Sequence, residues 1–202
     1  MLTLPEKLLF ALVLIGSVAY FAWRTVLLVR LVRMGKADPD DRTNHLARNF
    51  LDMLADVVLQ RKVLRKPWVG VLHLLIVWGF FVFAVNTINH FVSGFLGHFH
   101  LFGDTPLAHG YSALADIFAV LIIVGVVGLA MRRYLWRPES LTPRSVESAL
   151  VFGCIGGAML AYLWANGAEI ALGVVEPPHG HFFAGVLAQG FAQMPPLPLT
   201  IM

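Results

Sequence analysis

The sequence predicts an all-α protein, a polytopic transmembrane bundle of four spans with an additional amphipathic helix on the cytoplasmic membrane surface. Apolar residues make up 58% of the chain and charged residues only 13%, roughly half of the charged fraction that covers a soluble domain. The apolar residues are concentrated in four long runs, and most of the Lys and Arg residues lie in two of the segments between them. Much of the surface is therefore predicted to face lipid.

Each of the four runs is long enough to cross a bilayer, which takes roughly 20 apolar residues in helical form. They cover residues 8–31, 69–93, 110–131 and 147–172. We therefore expect residues 1–175 to form the membrane bundle and residues 176–202 to form a tail. Within this tail, residues 182–194 are too short to cross and precede several prolines. They are predicted to lie at the membrane interface or to be disordered.

The distribution of positive charge predicts the orientation. The segments that follow the first and third spans are rich in Lys and Arg, whereas residues 94–109 and 173–202 contain neither. By the positive-inside rule, both basic segments lie in the cytoplasm. The N-terminus and the C-terminal tail are then expected outside. A nucleic-acid partner is not indicated, because no basic stripe alternates with stacking aromatic residues on a soluble face.

The first basic segment has helical amphipathic spacing over residues 44–64, which predicts a helix on the membrane surface. Pro67 marks the start of the second span. Four basic residues precede it: Arg61, Lys62, Arg65 and Lys66. Lipid head groups are the general partner for such a cluster. Acidic groups of a cofactor, or a docked cytoplasmic subunit, are the more specific alternatives.

Glycines in the last two spans predict close helix packing. Gly125 and Gly128 lie in the third span, and Gly153 and Gly157 form a small-xxx-small pair in the fourth. Small residues let two helix backbones approach closely in a membrane.

His73 is the polar residue of the spans that most needs an explanation, since ionisable groups inside a membrane are costly and mark function by default. A neutral imidazole binds a metal through one nitrogen while the other donates a hydrogen bond. In an apolar helical bundle, the commonest use of such a group is to bind haem iron. The alternative is a histidine that only bonds to a neighbouring helix.

His90 lies 17 positions after His73, roughly 25 Å further along a helix. The two histidines are therefore expected near opposite faces of the bilayer, where they could serve two stacked haems. The alternative for His90 is simple solvation at a helix end.

Further histidines are expected on the outer side: His98, His100, His109, His179 and His181. Their spacing is generic for zinc or copper, and solvated loop histidines are the alternative. His109 begins the third span and could approach His90. Asp116 and Glu169 could exchange protons near a quinone or pair with a histidine. Cys154 is the single cysteine, so this chain alone cannot ligate an iron–sulfur cluster through several thiolates.

The second span and its basic approach resemble cytochrome b domains of the nitrate reductase gamma-subunit type. The motif residues are Gln60 to Pro67, Gly70, His73, Trp78-Gly79-Phe80 and Thr87, followed by Asp116, Arg132-Arg133-Tyr134 and Pro138. The similarity is greatest to the versions found as the N-terminal membrane part of iron–sulfur oxidoreductases related to heterodisulfide reductase. It covers roughly residues 5–175.

This resemblance implies a five-helix domain in a bacterial or archaeal inner membrane that carries two b-type haems and exchanges electrons with quinone. His73 matches the second-span histidine of the family, and His90 lies further along than the usual spacing. The fifth span and its histidines do not occur in this sequence. We therefore expect either a piece of a longer protein or a fifth helix supplied from elsewhere, with each haem short of one ligand in this chain.

The function expected from these features is electron transfer between a cytoplasmic iron–sulfur or flavoprotein partner and membrane quinone, through one or two haems b. His73 is the expected ligand on the cytoplasmic side, and His90 or His109 are the candidates on the outer side. Arg61, Lys62, Arg65 and Lys66 are expected to neutralise haem propionates or to dock the partner. The chain would then be a component of a quinone-linked oxidoreductase rather than a complete enzyme.

Two other classes of function remain open at this stage. A small transporter or metal-binding protein would use the outer histidines instead of His73. A haem-free membrane anchor would use its polar residues only to pack its helices.

Overall fold

The structure is a computed structural model, and it describes residues 3–35, 45–96, 101–103, 105–136, 138, 145–173 and 180–193. Throughout these residues the regular elements are helical. The main helices are α1 (Leu4–Arg33), α2 (Leu46–Val58), α3 (Pro67–Leu96), α4 (Pro106–Met131), α5 (Val146–Ala171) and α6 (Phe182–Phe191). A 3₁₀ turn, Val63–Arg65, precedes α3, and a π-helical turn, Arg132–Trp136, extends α4.

Four of these helices are long and apolar enough to cross a membrane, which confirms the predicted class. They are α1, α3, α4 with its π-helical turn, and α5. Each predicted span lies within one of them, apart from a one-residue overrun at Leu172. The helices extend further than the apolar runs because capping residues and prolines begin them. Thr3 and Glu6 form a capping box at α1, and Thr105 and Ser145 cap α4 and α5 through their side chains.

The chain forms two compact units. The first consists of residues 1–52 and 88–101. In this unit, the ring of Phe10 on α1 packs 5.4 Å from Phe91 and 5.1 Å from Phe95 near the end of α3. The Nζ atom of Lys7 donates to the Phe95 carbonyl at 3.0 Å. A cation is favourable there, because the last carbonyls of a helix have no partner within it.

The second unit consists of residues 53–87 and 102–202. Its apolar core lies mainly between α4 and α5 and contains Ala119, Ile122, Val126, Met159 and Leu163. The first part of α3 packs on α4 at glycines. A Cβ atom at Gly125 would lie 2.8 Å from the Leu72 carbonyl, and one at Gly79 would lie 2.4 Å from Ile122. Glycine at these positions is what allows the two helices to approach so closely.

The glycine pair of α5 does not take part in comparable packing. Gly153 and Gly157 have open space where a Cβ would lie, and only Gly156 between them approaches α4, at 3.6 Å from Val126. Within the described residues, the expected close packing is therefore found for Gly125 and Gly128 of α4 but not for the pair on α5.

The segment that follows α5 is ordered as a helix. Sequence analysis left interfacial placement and disorder open for residues 182–194, and the structure forms α6 over Phe182–Phe191. Ala184, Ala188 and Phe191 are buried. The ring of Phe191 packs edge-on against Trp164 of α5 at 4.6 Å. This segment thus belongs to the second unit and contributes to its packing.

Candidate functional site

His73 lies in the second turn of α3 and is half-buried. Leu72 and Ile76 on the same helix pack against Gly125 and Gly128 of α4. Its Nδ1 atom is buried, and no described residue forms a hydrogen bond with it. Leaving a buried polar atom unsatisfied costs about 1–3 kcal/mol. An imidazole that holds a metal uses one ring nitrogen while the other donates a hydrogen bond, so His73 has the chemistry to hold such a group and is the candidate ligand of this span.

The four basic residues of the predicted cluster lie on a compact turn just before α3, and all four are exposed. The turn begins at Gln60, which is buried and has a left-handed φ of 51°. Its carbonyl accepts from the amides of Val63 and Leu64 at 3.0 and 2.9 Å. The turn then crosses the start of α3 at Gly70, where a Cβ would lie 2.6 Å from the Cα of Leu64.

One ion pair closes the basic turn against α2. The Nζ atom of Lys62 lies 2.6 Å from Oδ2 of Asp56. This hydrogen bond lowers the pKa of Asp56, and the charges of Lys62, Arg61 and Arg65 act in the same direction against a smaller desolvation effect. Trp78 also joins α3 to the end of α2, because its indole N–H donates to the Val58 carbonyl at 3.2 Å. The structure thus brings the cluster close to the helix end from which His73 projects.

The remaining candidate ligands with a described position belong to different compact units. His90 is exposed on α3 and belongs to the first compact unit. His109 is exposed in the first turns of α4 and belongs to the second unit. His98, His100 and His179 lie outside the described residues. Within the part of the chain that the structure describes, no three His, Cys, Asp or Glu residues come together as a metal site.

Asp116 has a role that sequence analysis did not identify. Its side chain is fully buried in α4, and its two oxygens accept from the amides of Phe183 at 2.6 Å and Ala184 at 3.2 Å. These amides belong to the first turn of α6, where a helix has no internal acceptors. Asp116 therefore caps a helix that lies 67 positions further along the chain. A cap this remote has no local sequence signature.

His181 is the residue immediately before α6, and it is half-buried close to this cap. Its Nδ1 atom is buried, and no described residue forms a hydrogen bond with it. Burial lowers the pKa of His181, while the negative charges of Asp116 and Glu169 act in the opposite direction. The net effect favours a neutral imidazole. Gly180 allows the chain to approach α4 here, since a Cβ at this residue would lie 2.4 Å from the His109 carbonyl.

Comparisons with known proteins point to oxidoreductases. The chain is 26% identical over 167 residues to a protein of Syntrophomonas wolfei named EtfAB:quinone oxidoreductase, a match that covers 82% of this chain and 23% of that protein. It is also 24% identical over 191 residues to a Bacillus subtilis protein named "Probable iron-sulfur-binding oxidoreductase FadF". This match covers 95% of this chain and 26% of that protein.

The chain thus spans about a quarter of the length of these curated relatives. No protein-family profile matches it, and no solved structure matches it. One of these two oxidoreductases is named for a quinone and the other for iron–sulfur binding. Similarity to them, together with four helices that are long and apolar enough to cross a membrane, supports a membrane-associated role in electron transfer in general.

Proposed function

We propose that this chain is the membrane electron-transfer component of a quinone-linked oxidoreductase, and that it binds b-type haem through His73. The observation that carries the proposal is the His73 imidazole, which lies in an apolar span with a buried nitrogen that no described residue satisfies. A protein named as a quinone oxidoreductase is similar to 82% of this chain, and this similarity also supports a role in electron transfer. A purely structural histidine would be expected to have a partner for that nitrogen.

Haem supplies a one-electron carrier inside the bilayer when it is bound. His73 would hold the haem on the cytoplasmic side, and His90 or His109 would hold a second haem on the outer side. The exposed cluster of Arg61, Lys62, Arg65 and Lys66 would neutralise the propionates of the inner haem. Lys62 is already paired with Asp56, so we assign this role first to the other three.

The same cluster is the proposed docking surface for a cytoplasmic partner with iron–sulfur or flavin groups. We propose that electrons pass between this partner and membrane quinone. The support for such a partner is the name of the Bacillus relative, which refers to iron–sulfur binding, together with the single cysteine of this chain. The resemblance to nitrate reductase gamma subunits adds the b-type haem to the proposal.

The test is a reduced-minus-oxidised difference spectrum of membranes that contain the chain, recorded for the parent and for His73→Leu. Leucine preserves the apolar character of the span, so the variant is expected to insert normally. We expect a b-type α-band in the parent and its loss, or loss of about half of it if two haems bind, in the variant. His45→Ala replaces an exposed histidine outside the proposed sites and should leave the band unchanged.

A parent spectrum without an α-band would reject the haem proposal. A band that survives in His73→Leu would reject His73 as the ligand. Metal binding without a porphyrin spectrum, lost on substitution of His181, would favour the metal-binding alternative instead.

A further inference from the structure

An open cavity of about 600 Å³ lies between the end of α5 and α6, a size within the usual range for small-molecule sites. Most of its wall is apolar, and two side chains add polar groups, His181 and Gln189. The apolar residues of the wall include Ile170, Ala171, Phe182 and Val186. Phe182 and Val186 are 62% and 66% exposed. A membrane-soluble ligand could therefore reach this cavity from the lipid.

The position of α6 is determined by specific contacts rather than by general apolar packing. Asp116 caps its first turn through two hydrogen bonds. At Gly167 of α5, a Cβ would lie 3.0 Å from Leu187 and 3.1 Å from the Ala184 carbonyl. These contacts give the cavity walls a defined geometry, which a specific ligand site requires.

His181 supplies the group by which the cavity can recognise a ligand. The imidazole lines the cavity and is half-buried. Its Nδ1 atom is buried, so Nε2 is the nitrogen that a ligand in the cavity would contact. A neutral imidazole presents one N–H donor and one acceptor nitrogen. It can therefore donate to a ligand carbonyl in an apolar site without burying a net charge, which would be far more costly.

We propose that the cavity between α5 and α6 binds the head group of a quinone, with one carbonyl of the ring accepting a hydrogen bond from the His181 imidazole. A quinone combines a flat apolar ring with carbonyl acceptors, and this combination matches a cavity with an apolar wall and a single imidazole. The exposed side chains at its mouth would contact the isoprenoid tail. The inference rests on the proposed function for the identity of the ligand but is independent of haem.

The experiment measures binding of menadione, a short naphthoquinone, to the full chain in lipid nanodiscs by quenching of tryptophan fluorescence. Trp164 packs against Phe191 of α6 and gives a reporter in the second unit. Gly185 lines the cavity and has open space at its Cβ position, so Gly185→Leu should fill the cavity without a clash. We expect this variant to weaken binding at least tenfold.

Gly190→Leu is the matched control, because Gly190 is also on α6 with open space at its Cβ but does not line the cavity. It should bind menadione like the parent. His181→Phe retains an aromatic ring and removes the N–H, so we expect about five- to tenfold weaker binding from the loss of one hydrogen bond. The hydrocarbon 2-methylnaphthalene lacks the carbonyls, so it should bind the parent more weakly than menadione does. The two compounds should bind His181→Phe with equal affinity.

Equal binding of menadione to Gly185→Leu and Gly190→Leu would overturn the proposal. Equal binding of menadione and 2-methylnaphthalene to the parent would also overturn it, since the cavity would then be only an apolar groove. A chain that shows no haem spectrum but passes both tests retains the quinone site without the haem proposal. A chain with a His73-dependent spectrum that fails both tests retains the haem proposal alone.

Discussion

Asp116 is an ionisable residue in a membrane-spanning helix, and the structure explains how its side chain is accommodated. The carboxylate is fully buried and accepts two backbone hydrogen bonds at the positive end of α6. A helix N-terminus stabilises an anion through both its free amides and its dipole. Sequence analysis considered proton exchange or pairing with a histidine for Asp116, and a tertiary cap was not among these interpretations.

Replacing Asp116 should weaken the docking of α6. Asp116→Ala leaves two amides without acceptors, and loss of an N-cap costs about 1–2 kcal/mol. We expect the opening of α6 to become about five- to thirtyfold more frequent, with Asp116→Asn intermediate because its amide oxygen can still accept one bond. Hydrogen exchange of residues 182–191, followed by mass spectrometry in nanodiscs, measures this directly.

The control for this prediction is Glu147→Gln, which neutralises an exposed carboxylate in the first turn of α5. Its exchange should equal that of the parent. Unchanged exchange in Asp116→Ala would show that the two hydrogen bonds do not stabilise α6.

Lowering the pH should also loosen the start of α6. Burial lowers the pKa of His181 below its ordinary value of 6.5, against the opposing charges of Asp116 and Glu169. As the pH falls below 6.5, the unfolded segment therefore binds more protons than the folded one. The free energy of unfolding of this segment is highest above pH 6.5 and decreases as the pH falls through the pKa of His181 in the folded state. We expect faster proteolysis of residues 180–193 at pH 5.5 than at pH 7.5, about twofold or more.

His181→Phe cannot titrate, and it should remove this pH dependence once protease activity at each pH is corrected with an unrelated substrate. A parent segment that is cleaved equally at both pH values would contradict the prediction.

At the scale of secondary structure, several residues of the motif before and within α3 are explained by packing. Gly70 allows the basic turn to cross the helix, Gly79 allows α4 to approach, and Trp78 donates to the end of α2. These contacts require a glycine or an indole N–H at those positions. In the part of the motif that lies before and within α3, His73 has a buried nitrogen that no described residue satisfies, and for this reason it remains the focus of the functional proposal.

Gly70→Ala should disrupt the basic turn. The added Cβ would lie 2.6 Å from the Cα of Leu64 and 2.8 Å from the Val63 carbonyl, and backbone atoms cannot yield as a flexible side chain can. Overpacking of this kind costs about 1–3 kcal/mol. We expect faster trypsin cleavage after Arg61, Lys62 and Arg65 and a lower melting temperature in detergent.

Gly153→Ala is the matched control, because the same methyl group enters open space on α5. It should leave both measurements unchanged or raise the melting temperature slightly through better helix propensity. Equal effects of the two substitutions would show that the close approach at Gly70 is not required.

For the whole molecule, the proposed orientation places the basic turn in the cytoplasm and α6 outside. Helix α1 has exposed apolar side chains along its length and no buried residue, as expected for a helix that contacts lipid. The Lys and Arg residues near the ends of the spans are the features that determine its direction across the membrane.

Single-cysteine labelling tests this orientation in cells. Cys154 is the single natural cysteine, so Cys154→Ser gives a background without thiols. In that background, a membrane-impermeant maleimide should label Gln193→Cys in intact cells and should label His45→Cys only after permeabilisation. The reverse pattern would show that the chain has the opposite orientation.

The sequence by itself determined the class of fold, the four spans and the presence of helix α2. The helix was predicted over residues 44–64 but ends at Val58, and the left-handed Gln60 begins the turn that follows it. Hydrophobic runs and amphipathic spacing are local, so they predict a helix without knowledge of its neighbours. His73 and the basic cluster were found for the same reason, since a polar group in an apolar run is visible in sequence alone. The caps Thr105 and Ser145 were not among the predictions, and α4 begins at Pro106, before the predicted residue 110.

Only the tertiary structure decided the role of residues that act on distant segments. Asp116 and the amides it caps are 67 and 68 positions apart, and the cavity beside His181 exists because α6 packs back onto α5. The Gly125 and Gly153 regions have similar local sequence signals, yet one contacts α3 and the other has open space. The difference depends on which face of each helix meets a neighbour, and this is set by the packing of the whole unit rather than by the residues of one helix.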